Sequence, residues 1–251
     1  MNRNFLNIPV SVCYLAIERN CIKQFQLFCW LKTQCSGHFK LTEKLLYSGI
    51  NQLETTQQTL KKRLKWLVDN RWIGLNTKSG SYHINSFKVI HRRTGSKLLK
   101  GILWDYYDFR KFTDFIHAAI LFHQAKCKWW YENKRLREQG RKPVKAGIVK
   151  GCSSKCIDRP SFLLPICYVA KKLNKTPSAI NRMKIAAKRS GFILVKSSFI
   201  IIESDKRKFG FIRNNHPDGH KYIIRKGQLY EQLPDKIMFL ITTRRKRNLK
   251  Q

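Results

Sequence analysis

Two segments of the chain carry amide, hydroxyl and cationic side chains at spacings suited to contacting a nucleic acid. Glutamine and asparagine amides can pair with two atoms of an adenine edge, whereas lysine and arginine can pair with guanine or neutralise phosphate. These residue types therefore offer binding rather than catalysis. The candidate contact residues are Thr56, Gln57, Gln58, Lys61, Lys62 and Lys65 in the first segment, and Ser178, Asn181, Arg182, Lys184 and Lys188 in the second.

The first segment has the pattern of an amphipathic helix over residues 55–70. Leu60, Leu64, Leu67 and Val68 form one apolar stripe at i, i+4, i+7 and i+8. Most of the glutamines and lysines fall on the other faces of this helix. They are therefore predicted to face outwards.

The second segment begins with signals of a helix N-terminus. Thr176 is a capping residue, and Pro177 follows at the first helical position, where a missing N–H costs nothing. Ile180, Met183 and Ala187 are predicted to face the core. A helix of this kind fits the major groove of DNA and meets base edges with its N-terminal half. The alternative is that both helices simply have solvated polar faces.

Each helix is predicted to follow a shorter apolar helix and to precede a β-hairpin. A lysine lies in each predicted hairpin turn, Lys78 in the first and Lys196 in the second, and both are further candidate contacts. The elements predicted around the first helix are a helix at 41–50, a turn at 51–54 and strands at 72–75 and 81–84. Those around the second are a helix that carries Ile166, Val169, Ala170 and Leu173, and strands at 192–195 and 199–202.

Positive charge is the strongest global property of the chain. The net charge is +36 over 251 residues, and it is spread along the chain. Residues 1–100 hold 17 Lys and Arg against 4 acids, residues 101–160 hold 13 against 6, and residues 161–251 hold 21 against 5. A surface of this kind repels itself unless a polyanion is near, and nucleic acid is the usual polyanion. A merely basic or ribosome-associated protein is the alternative.

Hydropathy and cysteine usage favour a folded cytosolic protein. Apolar residues make up 43% of the chain, which is more than disordered chains usually have. No apolar run reaches the roughly 18 residues of a membrane span, and no signal peptide pattern precedes the cysteines. We therefore expect a cytoplasmic, nucleoid-associated protein with reduced thiols and no membrane partner.

Residues 41–84 and 162–203 resemble winged helix-turn-helix domains. The first is similar to the bacterial regulator type, in which hydrophobic residues at fixed spacing close the recognition helix before the wing. Leu64, Leu67, Trp72 and Ile73 stand in those places, but Arg71 stands where that type usually has glycine. The two segments together cover less than half of the chain.

The second segment is similar to helix-turn-helix proteins of phages and plasmids. The similarity rests on Val169, Ala170 and Leu173, the run Asn-Lys-Thr-Pro-Ser after them, and the later Gly-Phe-Ile at 191–193. It departs from the usual leucine row, which is replaced by Met183, Ala186 and Ala187. The tandem arrangement also resembles plasmid replication initiators.

These resemblances imply a mainly α, α+β protein that binds double-stranded DNA through two recognition helices. The predicted domains are 1–100, an N-terminal winged helix; 101–160, a long helix with a basic linker; and 161–251, a C-terminal winged helix with a β-rich extension and basic tail. The implied role is regulation of transcription or initiation of replication in a mobile element, on an asymmetric or repeated site. A homodimer is an open alternative to a monomer.

The sequence offers weaker signals for a metal or an enzyme. Cys152 and Cys156 are close in sequence, but no second close pair accompanies them, so no metal site is predicted. His216 and His220 flank Pro-Asp-Gly, which is a turn signal. A phosphate-binding loop and an acidic cluster are both missing from the sequence. We therefore expect no enzymatic activity and no cofactor.

Two further basic segments could contact nucleic acid. Aromatic and basic residues alternate over residues 126–135, where Trp129, Trp130 and Tyr131 could stack on single-stranded bases or pack against a core. Packing is the interpretation we favour, although stacking would make the chain an RNA-binding or single-strand-binding accessory protein. Arg244 and Arg245 begin a basic tail that is either a phosphate-contacting arm or a solvated end.

Overall fold

The computed structural model describes residues 6–95, 101–104, 108–144, 147–149, 159–215 and 221–243. The chain divides into two compact units. The first contains residues 1–120 and 241–251, and the second contains residues 121–240. The fold is α+β and mainly helical, as predicted. The boundary between the two units lies between residues 120 and 121, whereas the sequence predicts domain boundaries at residues 100 and 160.

The first unit alternates short strands with helices up to the start of a long helix. Its described elements, in chain order, are β1 (Leu6–Pro9), α1 (Val10–Glu18), α2 (Ile22–Gln34), β2 (His38–Lys40), α3 (Glu43–Leu53), α4 (Gln57–Asp69), β3 (Ile73–Asn76), β4 (Ser81–Ile84), α5 (Phe87–Thr94), β5 (Gly101–Trp104), a 3₁₀ turn (Phe109–Lys111) and α6 (Phe112–Glu138), which continues into the second unit.

Among its described residues, the second unit combines the end of α6 and three further helices with two small sheets. Its described elements after α6 are β6 (Gly147–Val149), β7 (Arg159–Leu163), α7 (Ile166–Leu173), α8 (Pro177–Arg189), β8 (Ile193–Lys196), β9 (Phe199–Glu203), a 3₁₀ turn (Lys206–Lys208), α9 (Phe209–Asn215), β10 (Lys221–Arg225), β11 (Gln228–Gln232) and β12 (Lys236–Phe239). The chain then returns to the first unit as β13 (Thr242–Thr243), which pairs antiparallel with β5.

In the first unit a helical layer packs on the antiparallel sheet β2-β4-β3. Aromatic rings fill the space between them. The ring of Phe25 in α2 lies 5.8 Å from Trp72 and 5.4 Å from Phe112, in edge-to-face geometry. Such pairs add about 0.5–1.5 kcal/mol each to the gain from burial. The predicted stripe Leu60, Leu64 and Leu67 is buried here, so that prediction is confirmed.

Gly49 in α3 marks the closest approach of the first unit's helices. A Cβ atom at this position would lie 2.7 Å from Leu60 Cδ1 and 3.1 Å from a ring carbon of Trp30. Both neighbours are buried and have little room to move. The glycine therefore lets α3 pack against α2 and α4.

We expect Gly49→Ala to destabilise the chain by about 1 kcal/mol in urea unfolding. Overpacking costs about 1–3 kcal/mol, which exceeds the gain of about 1 kcal/mol from replacing a helical glycine. Gly210→Ala in α9 is the matched control, since nothing lies within 4 Å of a Cβ there. That variant should be neutral or stabilising. Equal effects of the two substitutions would contradict the close packing at Gly49.

The helix pair α7–α8 of the second unit repeats the pair α3–α4 of the first at an offset of 120 residues. Helices α4 and α8 each have 13 residues and begin after Thr56 and Thr176, whose hydroxyls accept the N–H three residues later at 3.3 Å. The turns before them contain Glu54 and Asn174 with φ of 47° and 49°. The repeat thus extends to the backbone of the turn.

The backbone geometry after the C-terminal end of α4 is repeated after α8. Arg71 and Gly191 both have positive φ, 58° and 78°, and the next residue donates to a carbonyl five positions back. Arginine is strained in this conformation. Two donors hold its carbonyl: the Asn85 amide at 2.9 Å and the guanidinium of Arg93. These two tertiary hydrogen bonds therefore hold Arg71 in a conformation for which the resemblance leads us to expect glycine.

The hairpin predicted after α8 is wrong in its pairing. In the first unit β3 and β4 form the predicted hairpin, joined by residues 77–80. In the second unit β8 pairs with β12, and β9 pairs with β11. Residues 197–235 are therefore inserted between the two strands that correspond to the first hairpin. The predicted partner strand at 199–202 and β12 are both apolar. However, β12 is the strand that is buried beside β8, where residues 237–239 are only 1–4% exposed.

Two local predictions also differ from the structure. The basic, glycine-containing sequence of residues 86–101 is typical of a connector, yet these residues contain α5, which Ser86 caps by accepting the Val89 N–H at 3.3 Å. The run Phe-Gly-Phe-Ile at residues 209–212 favours a strand in the predicted β-rich extension, yet these residues begin α9. Asp205 accepts the Arg207 N–H at 3.0 Å and starts the 3₁₀ turn that leads into this helix. In both cases a local cap overrides a weak hydropathy pattern.

Candidate nucleic-acid interface

The outer face of α4 presents one amide and two cations in a row. Gln58, Lys62 and Lys65 recur at i, i+4 and i+7, opposite the buried leucines, and all three are exposed. Gln57 and Lys61 are exposed beside this row. The lysines form no ion pair within the described part of the chain. The face is therefore available to an external anion.

Thr56 caps the N-terminus of α4, where this face begins. Its hydroxyl accepts the Thr59 N–H at 3.3 Å and lies 2.9 Å from the Thr59 hydroxyl. It is the helix cap, and it remains exposed. A capped N-terminus carries partial positive charge and free N–H groups, which favour a phosphate next to it.

Lys78 lies at the tip of the β3–β4 hairpin. The Asn76 side-chain oxygen accepts the N–H groups of Lys78 and Ser79 at 3.0 and 3.3 Å, which fixes the turn. The Lys78 side chain is exposed. A cation at the tip of a short, ordered hairpin is well placed for a phosphate contact.

The outer face of α8 differs from that of α4. Ser178, Arg182 and Lys188 are exposed, and Asn181 is half-buried. Ile185, which we did not predict as a contact, lies at the centre of this face with 46% of its surface exposed. The equivalent position of α4 is Lys65. Lys196, at the end of β8, is exposed near the start of the inserted segment.

A groove runs along α8 in the second unit. Its volume is about 690 Å³. Ser178, Asn181, Ile185 and Lys188 line it on the helix side, and residues 231–235 line the opposite side. The groove therefore opens on the face that the sequence assigned to DNA.

Lys184 is not a free cation on this face. It forms an ion pair with Asp235, and the two side chains are only 12% and 6% exposed. Asp235 also accepts from the Ser197 hydroxyl at 2.6 Å and from the Gln232 amide at 3.3 Å. Asp235 is one of five acids in residues 161–251, and this scarcity is the sequence signal for the pair, whereas the sequence analysis predicts a DNA contact for Lys184.

The surroundings of Asp235 keep its carboxylate charged. Burial acts to raise the pKa of this carboxyl group, but hydrogen bonds from Lys184 and Ser197 and the charge of Lys184 act more strongly in the other direction. The pKa therefore lies below its ordinary value. As a result, the pair ties α8 to the end of the inserted segment.

The aromatic-basic stretch of α6 is only partly packed. Trp129 donates to the Val144 carbonyl at 3.1 Å, and its ring lies 6.1 Å from Phe162. Trp130 and Tyr131 are 52% and 70% exposed. The packing interpretation therefore holds for Trp129 and in part for Trp130, whose ring lies 5.2 Å from that of Trp129, but it is wrong for Tyr131.

The buried cysteines behave as small hydrophobic residues. Cys13, Cys21 and Cys29 are buried free thiols. Burial raises the pKa of Cys21 to about 11 and that of Cys29 well above its ordinary value, so these thiols stay protonated. Their chemistry is inert, which fits a role in packing.

In the part of the chain that is described, no group of three or more His, Cys, Asp or Glu could hold a metal. Two smaller contacts occur: His83 Nδ1 lies 3.2 Å from His38 Nε2, and Cys127 Sγ lies 3.6 Å from a His123 ring nitrogen. Residues 152, 156, 216 and 220, which carry the Cys and His signals of the sequence, lie outside the described residues. The same holds for Arg244 and Arg245.

Among the described helices, none has both the length and the apolar character needed to cross a bilayer. No known protein family, no curated protein and no solved structure shows a significant match to the chain. The candidate interface is therefore defined by its own geometry.

Proposed function

We propose that the protein binds double-stranded DNA through α4 and α8, without catalysing a reaction. One observation carries this proposal: a capped 13-residue helix with an exposed polar and cationic face recurs after a turn of the same backbone geometry. Each helix offers groups that pair with base edges. The short helices α3 and α7 precede them, as in helix-turn-helix proteins. By the same proposal, each unit is a winged-helix domain.

The charge of the chain supports a phosphate-rich partner. The excess of 51 Lys and Arg over 15 acids is far larger than solubility requires. Lys61, Lys62 and Lys65 on α4, and Lys78 on the hairpin tip, are exposed together in one unit. Phosphate contacts of this kind supply affinity and position the helix, whereas amides supply selectivity.

The two helices would read different sequences. Gln58 and Lys62 of α4 correspond to Ser178 and Arg182 of α8, and Lys65 corresponds to Ile185. Two unlike faces on one chain favour an asymmetric site over a simple palindrome. In vitro selection of bound duplexes would reveal such a site. Selection of a perfect palindrome would overturn this part of the proposal.

Lys62→Ala and Arg182→Ala should each weaken binding to the selected duplex about tenfold, without changing the melting temperature. A base contact is worth about 1–3 kcal/mol and a surface cation adds little stability. Fluorescence anisotropy gives the Kd of each variant. Lys134→Ala is the matched control, since Lys134 is exposed on α6 and pairs with Glu138 at 3.7 Å.

The two outcomes that contradict this assignment are distinct. A melting shift as large as the loss of binding would make Lys62 or Arg182 structural. An equal loss of duplex binding in Lys134→Ala would show that removal of any cation suffices, and that α4 and α8 have no special role.

The biological role that we propose is regulation of transcription or initiation of replication in a mobile element. The selected site distinguishes the two roles when it is mapped on the DNA that encodes the protein. A single site at the protein's own promoter would favour a regulator. Repeated sites beside an AT-rich stretch would favour an initiator.

A second candidate function is binding of RNA or single-stranded DNA by α6. The observation that favours it is the exposure of Trp130 and Tyr131 beside Lys134. Aromatic side chains that stack on bases contribute about 1–3 kcal/mol each. Competition of oligo-dT against the selected duplex decides between the functions. Preference for the single strand, lost in Trp130→Ala, would favour this second candidate.

A further inference from the structure

Ile185 is an apolar residue at the centre of the otherwise polar and cationic outer face of α8. It is 46% exposed, and Ser178, Arg182 and Arg189 surround it on the outer side of α8. Isoleucine is a poorer helix former than lysine, which occupies the equivalent position of α4. Nearly half of the apolar side chain is therefore left uncovered by the chain, at some cost in helix stability.

Other apolar residues line the groove beside α8 together with Ile185. Val195, Leu233 and Pro234 line the same groove, together with Asn181 on the helix side. Asn181 and Ile185 thus lie on one side of the groove, with the cation Lys188 one turn further on. An amide and an apolar group are the kinds of group that complement the major-groove edge of an A·T pair, where adenine offers hydrogen-bonding atoms and thymine offers a methyl group.

We infer that Ile185 reads the methyl group of a thymine in the part of the DNA site that α8 contacts. The inference rests on the proposed duplex binding and adds the identity of one base to it. Apolar side chains that touch the thymine methyl are an ordinary means of reading that base. The equivalent residue of α4 is Lys65, whose side chain ends in a charge, so this contact is expected from the second unit.

The geometry also predicts where that thymine lies. Asn181 and Ile185 are four residues apart, which is about 6 Å along the helix axis. That distance is close to two base-pair steps of about 3.4 Å each. The thymine should therefore lie about two base pairs from the adenine that Asn181 contacts.

The test uses the full chain and the duplex that wins the in vitro selection. Each thymine of the winning site is replaced in turn by deoxyuridine, which keeps the base pair and removes only the methyl group. At one position the replacement should weaken binding of the unchanged protein about fourfold, the effect of one lost apolar methyl contact. Ile185→Ala should bind both duplexes equally at that position, while deoxyuridine elsewhere acts as before.

The matched control is Leu194→Ala. Leu194 lies in β8 of the same unit and is 45% exposed, so the substitution removes a similar apolar surface from another element. This variant should keep the fourfold effect of the methyl group. Loss of that effect in Leu194→Ala would assign the thymine to β8 and overturn the inference.

The outcomes separate this inference from the function on which it rests. If no duplex is selected over random DNA, the proposed function fails. If a duplex is selected and no thymine methyl matters, or if its effect persists in Ile185→Ala, the reading by Ile185 is overturned and duplex binding stands.

Discussion

Affinity for the selected duplex should fall about a thousandfold or more when the salt concentration rises from 50 to 200 mM. A protein that makes about 6–10 phosphate contacts releases a similar number of counterions, and its affinity falls by about 10³–10⁵ over this range. The exposed cations of α4, α8 and the hairpin tip supply contacts on that scale. Anisotropy titrations at four salt concentrations give the slope.

The cations of α4 should account for a defined part of that slope. Each phosphate contact removed lowers the slope by about one. The triple variant Lys61→Gln, Lys62→Gln and Lys65→Gln keeps the helix and its polarity, and it should lower the slope by about two to three. Lys134→Gln, the single-charge control on α6, should lower it by less than one. An unchanged slope in the triple variant would remove α4 from the interface.

Asp235→Ala should destabilise the second unit by about 3 kcal/mol. Removing one member of a buried ion pair leaves an uncompensated charge, which costs about 3–5 kcal/mol. Here Lys184 would be left 12% exposed without its carboxylate, and the Ser197 hydroxyl would lose its acceptor. Hydrogen exchange resolves the effect by unit, and the amides of α8 should lose protection while those of α4 keep it.

Two further variants test the cause of this loss. Lys184→Leu in the Asp235→Ala background should recover most of the stability, because the equivalent position of α4 is the buried Leu64. Glu138→Ala breaks the ion pair with Lys134, whose side chains are more than half exposed, and should cost less than about 1 kcal/mol. A failure of Lys184→Leu to recover stability would show that the buried charge is not the source of the loss.

The same pair gives the second unit an acid-sensitive stability. The folded-state pKa of Asp235 lies below its ordinary value, so its contribution is complete above the unfolded-state pKa of about 3.9. The contribution is lost as the pH falls through the lower folded pKa. Urea midpoints should therefore decrease below about pH 4, and they should decrease less steeply in Asp235→Ala.

Local patterns predicted α4 and α8 because a helix is specified by neighbours in sequence. The stripe of Leu60, Leu64 and Leu67 and the cap at Thr176 are readable without knowledge of any partner. The hairpin around Lys78 was predictable for the same reason, since its turn and both strands lie within a dozen residues. These elements already brought the predicted α4 contacts onto one exposed face.

Other features depend on partners that are distant in sequence. The strand beside β8 had two apolar candidates, and burial against the rest of the second unit selects β12. In the sequence, Lys184 resembles any outward cation, because its partner Asp235 is 51 residues away. Ile185 was overlooked because an exposed apolar residue on a helix has no signature in sequence.

The strand β13 has a consequence for the order in which the protein is made. It completes the sheet β1-β5-β13 of the first unit, yet it follows the whole second unit in the chain. A ribosome therefore releases all of residues 121–240 before the last strand of the first unit can pair with residues 102 and 103. During synthesis, the second unit can fold as a contiguous piece, while the first must wait for its final strand.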